Sequence, residues 1–293
     1  MSYPYLEDLI RASTGLDLPL PFPMFGLLVG VAVWTASICL RRELAWRAAT
    51  VASKTAERVV GGLVGPTVGQ AFDASDFTVT VFLAGILGAR IFHILEHTDQ
   101  FLAAPAAMIF TRSGFSILGG LILGAAAGIV YTRKAKLPVA AMCDAVAPCL
   151  MLGYAIGRLG CQISGDGDWG MAANLALKPD ALPLWLWAQT YAGNIAGVVI
   201  APPGVYPTPI YESAMAVVCF LILQALRRHA SRPGWLFACY LVLAGLERLV
   251  IEQIRVNPTF EIAGFVATQS EFISVLFVLL GLTGILVLGR RPT

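Results

Sequence analysis

The chain has 293 residues, of which 57% are hydrophobic and 13% are charged, and its net charge is +2. Its mean hydropathy is +0.75. A soluble domain carries about 25% charged residues, so this composition excludes an ordinary soluble globular protein. The small net charge gives no support for nucleic-acid binding. The composition predicts a membrane protein.

Seven apolar stretches are long enough to cross the hydrocarbon layer of a bilayer, which takes about 20 residues per helix. In chain order they cover about residues 22–40, 78–96, 114–132, 138–157, 208–226, 234–252 and 272–289. The first stretch has no small-residue cleavage site, which favours a retained helix over a signal peptide. The pattern predicts an all-α membrane protein of seven transmembrane helices, with residues 1–293 forming a single polytopic domain.

Basic residues are concentrated in alternate connections between these stretches. Thirteen of the 20 Lys and Arg residues lie there: Arg41, Arg42, Arg47, Lys54, Arg58, Arg133, Lys134, Lys136, Arg227, Arg228, Arg232, Arg290 and Arg291. Cytoplasmic loops hold the excess of basic residues in membrane proteins. The pattern therefore predicts a periplasmic N-terminus and a cytoplasmic C-terminus.

Two connections are longer than turns. In the inner segment 41–77, apolar residues recur at helical spacing from Leu44 to Val59 among basic residues, which favours a helix lying in the cytoplasmic interface. A plain solvated linker is the alternative. The outer segment 158–207 contains three tryptophans, which is typical of an interfacial, periplasmic cap. Its apolar run 184–200 is interrupted by Gly and Asn, so it is not counted as an eighth span.

Several charged residues lie within or beside the spans, where a charge costs several kcal/mol and usually marks a functional interior. The second, fourth and sixth spans run outwards and carry Arg90, Arg158 and Arg248 in their last thirds. Acidic residues at the same level are Glu212, Glu252, Asp166 and Asp168. The sequence therefore predicts a mixed-charge chamber that is open to the outer side.

An anionic phospholipid head group fits such a chamber, because the guanidinium fork of arginine matches phosphate geometry and keeps its charge when desolvated. The structural alternative is that Arg248 and Glu252, spaced i,i+4, form an internal ion pair while Arg158 extends to the interface. The same alternative applies to Arg90 and Arg255. A small-solute transporter is a further alternative, although neither broken helices nor an inverted repeat is evident.

The six cysteines lie mostly inside apolar stretches, and none has metal-type CxxC spacing. The sequence predicts no disulfide, no metal site and no cofactor.

Five segments together resemble the prolipoprotein diacylglyceryl transferases of bacterial inner membranes. They are Gly88-Ala-Arg-Ile91, Ser116-Ile-Leu-Gly-Gly-Leu121, Gly157-Arg-Leu-Gly-Cys-Gln-Ile-Ser-Gly-Asp-Gly-Asp-Trp-Gly170, Tyr206-Pro-Thr-Pro-Ile-Tyr-Glu212 and Glu247-Arg-Leu-Val-Ile-Glu-Gln-Ile-Arg255. The segment from Gly157 to Gly170 resembles the family signature most strongly.

This resemblance implies a multi-pass protein of the bacterial inner membrane that transfers the diacylglyceryl group of phosphatidylglycerol to the lipobox cysteine of a preprolipoprotein. Glycerol phosphate is the other product. The partners implied are phosphatidylglycerol, the lipobox peptide and membrane lipids. Arg158 and Arg248 would bind and polarise the phosphate, Glu252 would orient Arg248, and Glu212 would support the site. The remaining residues implied in phosphatidylglycerol binding are Arg90, Gly119, Gly120, Cys161 and Gly170.

The sequence departs from the family pattern at several polar positions. The family's Ser-Phe-His-Gly-Gly segment, whose histidine is implied to deprotonate the acceptor thiol, has Leu118 at the histidine position. Cys161 stands where the family has asparagine. Thiol activation could pass to His93, to Glu252, or to an arginine that lowers the thiol pKa. A non-catalytic member that binds anionic phospholipid or lipoprotein at the outer leaflet is the alternative function.

Overall fold

A computed structural model describes residues 2–59, 72–110, 116–229, 232–262 and 265–289. Apart from one turn of 3₁₀ helix at Leu175–Leu177, the elements are eleven α-helices and two strands within those residues. In chain order they are α1 (Leu6–Thr14), α2 (Met24–Val59), α3 (Ala74–Glu96), α4 (Thr98–Ala103), α5 (Pro105–Phe110), α6 (Ile117–Lys134), α7 (Val139–Ser164), α8 (Leu184–Trp187), α9 (Thr208–Leu226), α10 (Trp235–Glu252), β1 (Thr259–Ile262), β2 (Phe265–Thr268) and α11 (Gln269–Gly289).

Each of the seven apolar stretches falls on a long helix. Within the described residues, five segments are long and apolar enough to cross a membrane: Met24–Thr50, Ala74–Glu96, Val139–Ser164, Thr208–Leu226 and Gln269–Gly289. The protein is therefore a helical, multi-pass membrane protein. The other two predicted spans correspond to α6 and α10, each 18 residues long. Seven crossings and the orientation of the termini stay predictions.

The first predicted span and the interfacial segment after it share one helix. α2 continues without a break for 36 residues, well beyond the predicted end at residue 40. Residues 60–71 of the predicted segment 41–77 lie outside the described residues. The helix passes through Arg41 and Arg42 because arginine is a good helix former, so a change in polarity does not end it.

Local sequence explains several helix ends. Gly15 ends α1 in the left-handed conformation, with φ of 75°. Asp73 caps the start of α3, where its carboxylate accepts a hydrogen bond of 2.7 Å from the backbone N–H of Ser75. Pro209 lies in the first turn of α9, where the missing N–H costs no helical hydrogen bond.

The chain divides into two compact units, which are described separately here. One comprises Met1–Thr35 and Val146–Thr293, and the other comprises Ala36–Ala145. The first unit has a buried apolar core where α7, α9 and α10 meet; its members are Met151, Ala155, Ala216, Cys219, Leu223, Leu236 and Cys239. The second unit contains α3 packed closely against α6. A single domain over residues 1–293 stays a prediction.

The segment 165–207 is irregular and is held by backbone hydrogen bonds. Its run 184–200 contains only the single-turn helix α8, so it has no span-length helix. The amino-terminal residues pack on this segment through Ser2 N–H, which donates to the carbonyl of Ala192 at 2.9 Å. Gly170 pairs with Arg255 in an isolated antiparallel bridge. The irregular segment is therefore tied to the residues that follow α10.

A short antiparallel hairpin connects α10 to α11. β1 pairs with β2 so that Thr259 lies opposite Thr268. The sequence analysis missed this hairpin, because strands of four residues are at the lower limit for an alternating pattern. Its last residue, Thr268, is buried and lies directly before α11.

Glycines allow the backbones of α10 and α11 to approach closely. A Cβ atom at Gly245 would lie 2.7 Å from the carbonyl oxygen of Ser274, and one at Gly281 would lie 2.7 Å from the carbonyl oxygen of Ala238. Small residues at such crossings are typical of membrane helices, because association there depends on close van der Waals packing. Replacement of either glycine requires a backbone to move.

We expect Gly245→Val to lower the thermal stability of the detergent-solubilised protein by several degrees, since overpacking costs about 1–3 kcal/mol. The stability is measured as the fraction that stays monodisperse in size-exclusion chromatography after heating. Gly30→Ala is the matched control, because a Cβ at Gly30 meets no atom within 4 Å. If Gly245→Val is as stable as Gly30→Ala, the close contact between α10 and α11 is wrong.

Candidate active site

Arg158, near the end of α7, is a buried guanidinium with two carboxylate partners. Its side chain is 15% exposed. Nη1 forms an ion pair with Asp168, and Nε lies 3.2 Å from Oε2 of Glu212. The guanidinium also lies over the ring of Tyr154, 5.0 Å from the ring centroid. Tyr154 is one turn before Arg158 on the same helix, so the two side chains share a face.

Arg248, near the end of α10, contacts the same glutamate from another helix. Its Nη1 donates to Oε1 of Glu212 at 2.8 Å, and its Nη2 donates to the hydroxyl of Ser270 at 3.0 Å. Nη2 also lies 3.0 Å from Oε2 of Glu252, one turn further along α10. The i,i+4 ion pair expected from the sequence is therefore present, and it accompanies a contact to Glu212.

Arg255 is the third guanidinium of this cluster. It lies three residues beyond the end of α10 and is 8% exposed. Its Nη2 lies 2.7 Å from Oδ1 of Asp168, and its Nη1 lies 3.4 Å from Oε1 of Glu212. Arg158 and Arg255 thus share both Asp168 and Glu212.

Glu212, in the first part of α9, is the centre of the cluster. Its side chain is fully buried, and three arginines contact its carboxylate. The hydroxyl of Tyr154 donates to Oε1 at 3.3 Å. A buried carboxylate is stable only when ion pairs and hydrogen bonds replace its hydration, and these contacts supply both. We name Arg158, Arg248, Arg255, Asp168, Glu212 and Glu252 the arginine cluster.

Glu252 is fixed by the hairpin as well as by Arg248. Its Oε1 accepts hydrogen bonds from the hydroxyl of Thr268 at 2.6 Å and from the side-chain amide of Asn257 at 2.7 Å. Its Oε2 has the ion pair with Arg248 but no hydrogen bond of normal geometry within the described residues. The residues between α10 and α11 therefore orient the carboxylate that in turn contacts Arg248.

Asp168 lies beyond the end of α7, in the irregular segment. Burial by itself would raise the pKa of its carboxyl, but Arg158 and Arg255 outweigh burial and lower this pKa to about 2. Asp168 is therefore charged at any physiological pH. Its backbone carbonyl accepts a hydrogen bond of 2.7 Å from the hydroxyl of Thr208, which ties the segment to the start of α9.

Gly170 lies where three segments meet. A Cβ at this position would lie 2.6 Å from the carbonyl oxygen of Ile254 and 2.9 Å from Cγ2 of Thr208. Its N–H donates to the carbonyl of Tyr206 at 2.9 Å. Gly170 thus permits the surrounding segments to approach its backbone closely. In this structure the atoms that would contact a Cβ at this position are protein atoms, and Gly170 is bridged to Arg255.

A fourth glutamate, Glu247, is buried near the cluster. Only 6% of the residue is exposed, and its Oε1 has no hydrogen-bond partner among the described residues. It interacts electrostatically with Glu212, Arg158 and Arg248. The sequence analysis gave Glu247 no role.

The other predicted site residues are divided between the two units. Cys161 is buried in the first unit, with its sulfur 3.8 Å from Nη1 of Arg158. Arg90 belongs to the second unit, where Nη1 donates to the carbonyl of Met108 at 3.4 Å. His93 is on the same helix, and its ring is 4.5 Å from that of His97. Each unit is described separately, so a role for Arg90 or His93 beside the cluster stays a prediction.

Gly119 and Gly120 lie where α6 packs against α3. A Cβ at Gly119 would lie 2.3 Å from the carbonyl oxygen of Gly88. A Cβ at Gly120 would lie 3.4 Å from the carbonyl oxygen of Gly85. The helix crossing therefore requires a glycine at position 119, whereas a Cβ at Gly120 would make an ordinary contact. Their predicted contact with lipid stays a prediction.

The sequence analysis missed several members of the site. It gave Arg255 a role no stronger than an internal ion pair and did not consider Tyr154, Asn257, Thr268 or Ser270. Tyr154 had a usable signal, because it precedes Arg158 by four residues on one helix. Asn257 and Thr268 lie outside the helices, and Ser270 is the second residue of α11. Helical spacing therefore does not relate any of the three to Arg248 or Glu252.

The arrangement is suited to chemistry on an anion. Three guanidiniums that stay charged when buried are held in fixed positions by carboxylates, and the named contacts use only part of the five N–H donors of each guanidinium. Fixed donors of this kind stabilise negative charge that develops on a leaving oxygen, because they need no reorganisation during the reaction.

Comparisons with known proteins agree with this chemistry. A family model described as prolipoprotein diacylglyceryl transferase matches residues 14–287. The chain is similar to proteins named phosphatidylglycerol–prolipoprotein diacylglyceryl transferase from Leptospira interrogans and Symbiobacterium thermophilum. The first is 29% identical over 255 residues, covering 71% of this chain and 77% of the relative. The second is 30% identical over 224 residues, covering 74% of this chain and 77% of the relative.

The match to the family model extends from α1 into α11 and includes every residue of the arginine cluster. The chain belongs to the prolipoprotein diacylglyceryl transferase family.

Proposed function

We propose that this protein transfers the diacylglyceryl group of phosphatidylglycerol to the cysteine thiol of a lipobox peptide in a preprolipoprotein. The observation that carries the proposal is the convergence of Arg158, Arg248 and Arg255 on the buried Glu212 in a membrane protein of this family. The proposed location is the bacterial inner membrane, with seven crossings and the cluster in the outer leaflet.

In the proposed reaction, the thiol sulfur attacks the carbon of the diacylglyceryl group that is bonded to the phosphate oxygen. An S–C bond forms and the C–O bond to the phosphate oxygen breaks. The oxygen keeps the electron pair and leaves as glycerol phosphate, while the thiol gives up its proton before or during the attack. Two demands follow: negative charge on the leaving phosphate must be stabilised, and the thiol must become a thiolate.

Arg158 and Arg248 meet the first demand in this proposal. Each contacts Glu212 with one edge of its guanidinium, which fixes the direction of the remaining N–H donors. Glu252 orients Arg248, and Asp168 orients Arg158. These additional contacts from Glu252 and Asp168 hold the N–H donors in place for the phosphate. The two arginines therefore need not rearrange when phosphatidylglycerol binds.

The test uses the purified protein in liposomes that contain phosphatidylglycerol, together with a synthetic lipobox peptide. We expect mass spectrometry to find a peptide enlarged by one diacylglyceryl group and an equal amount of glycerol phosphate. Liposomes of phosphatidylcholine alone and a peptide with serine in place of cysteine are the controls, and neither is expected to give product.

Leu118, at the family's histidine position, favours a second candidate, a member that binds anionic phospholipid or lipoprotein without chemistry. That candidate predicts retention of phosphatidylglycerol by the protein but no glycerol phosphate from the same mixture. Such an outcome would replace the transferase proposal.

A further inference from the structure

Three potential metal ligands lie within one turn at the end of α3. His93 and Glu96 are on the helix, and His97 follows it directly. One ligand atom from each residue lies within 4.8 Å of the other two. Two histidines at i and i+4 with a glutamate between them present two nitrogens and one oxygen on one face. This set forms no part of the arginine cluster.

The imidazole of His97 has a backbone partner at one of its two ring nitrogens. Its Nδ1 lies 3.1 Å from the carbonyl oxygen of His93. Because a carbonyl only accepts, this contact is a hydrogen bond in the tautomer that carries the proton on Nδ1 and leaves the lone pair of Nε2 for a metal. Metal-bound histidines generally donate their other ring N–H to a carbonyl or carboxylate in this way.

The carboxylate of Glu96 is fixed by a neighbouring helix. The buried hydroxyl of Ser116, directly before α6, donates to Oε1 of Glu96 at 2.8 Å. Two of the three ligands therefore have an outer partner that orients them. His93 and His97 are half-buried and Glu96 is exposed, so an ion can reach the site.

Two imidazoles and one carboxylate suit zinc, which in reactive sites takes three protein ligands and leaves a fourth position open. Bonds of about 2.0–2.1 Å in a tetrahedron place ligands about 3.3 Å apart. The ligand atoms would have to move closer by about 1.5 Å at most, through rotation of the exposed Glu96 side chain and of the two half-buried imidazoles.

The site lies beside the position of the absent family histidine. Leu118 is two residues after Ser116, and Gly119 packs against Phe92, the residue before His93. We infer that His93, Glu96 and His97 bind a zinc-type divalent ion.

The metal site is tested without any activity measurement. Protein in lipid nanodiscs is stripped with a chelator and titrated with Co²⁺, and binding is followed by visible absorption and by competition with Zn²⁺. We expect one tetrahedral ion per chain. His93→Ala combined with His97→Ala should abolish it, while Ser116→Ala should weaken it by about 10-fold or more.

His229→Ala is the matched control, because His229 is the third of the three histidines and lies after α9. It should bind Co²⁺ as the parent does. Absence of the tetrahedral spectrum in the parent, or its persistence in the double variant, overturns the metal site.

Discussion

Replacement of Arg158 by alanine is expected to reduce diacylglyceryl transfer by at least about 100-fold, the usual loss when one fixed donor to a developing oxyanion is removed. Arg158→Lys should recover little of this loss, because an ammonium cannot reproduce the planar fork that contacts Asp168 and Glu212 together. The rate of glycerol phosphate release from phosphatidylglycerol liposomes measures both variants.

The Arg158→Ala variant should be less stable than the parent but should stay folded. After removal of Arg158, Asp168 keeps Arg255, and Glu212 keeps both Arg248 and Arg255. Lys178→Ala is the charge control, because the ammonium of this lysine donates to the neighbouring carbonyl of Pro179 and has no ion pair among the described residues. Normal transfer by a folded Arg158→Ala variant would remove Arg158 from the phosphate site.

Replacement of Glu212 by glutamine is expected to produce the largest loss of stability of any single change in the cluster. Removal of one member of a buried ionic network costs about 3–5 kcal/mol. In this variant three guanidiniums would share the two carboxylates of Asp168 and Glu252, which leaves one positive charge uncompensated. Here one change affects Arg158, Arg248 and Arg255 together. The thermal midpoint of the solubilised protein is the measurement, and transfer should be lost with it.

Glu261→Gln is the matched control, since Glu261 is exposed on β1 and the same carboxylate is replaced by the same amide. Its midpoint should equal that of the parent. Each kcal/mol of lost stability lowers the thermal midpoint by about 2–4 °C for a protein of this size. The midpoint of Glu212→Gln should therefore be well below that of the control. Equal midpoints would show that Glu212 does not hold the three arginines.

Helical spacing and hydropathy predict the part of the site that lies on regular helices. The i,i+4 spacing predicts the contact between Arg248 and Glu252. The depth of Arg158 and Arg248 in their helices predicts that the two arginines lie at one level, and in the structure both contact Glu212. These predictions depend only on helix geometry, which is the same in every sequence.

The rest of the site depends on contacts between segments that are distant in the chain. Arg255 reaches Asp168 because Arg255 itself, three residues beyond α10, pairs with Gly170 in a backbone bridge. Thr268 reaches Glu252 through a hairpin of four-residue strands. No periodicity encodes either contact, since loop direction is fixed by packing against other segments. The sequence analysis expected helix after residue 40 but not that α2 would run through from the first span without a break, which occurs because helix propensity extends past the apolar stretch.

The three guanidiniums of the arginine cluster face three carboxylates that pair with them directly, Asp168, Glu212 and Glu252. This shell is electroneutral and has no surplus positive charge. Phosphatidylglycerol is a monoanionic phosphodiester, whereas a phosphomonoester carries about −1.5 to −2 at pH 7. In the proposed reaction the product in the site, glycerol phosphate, would therefore carry more negative charge than the phosphatidylglycerol that entered it. The balanced carboxylates would limit product inhibition and drive glycerol phosphate out.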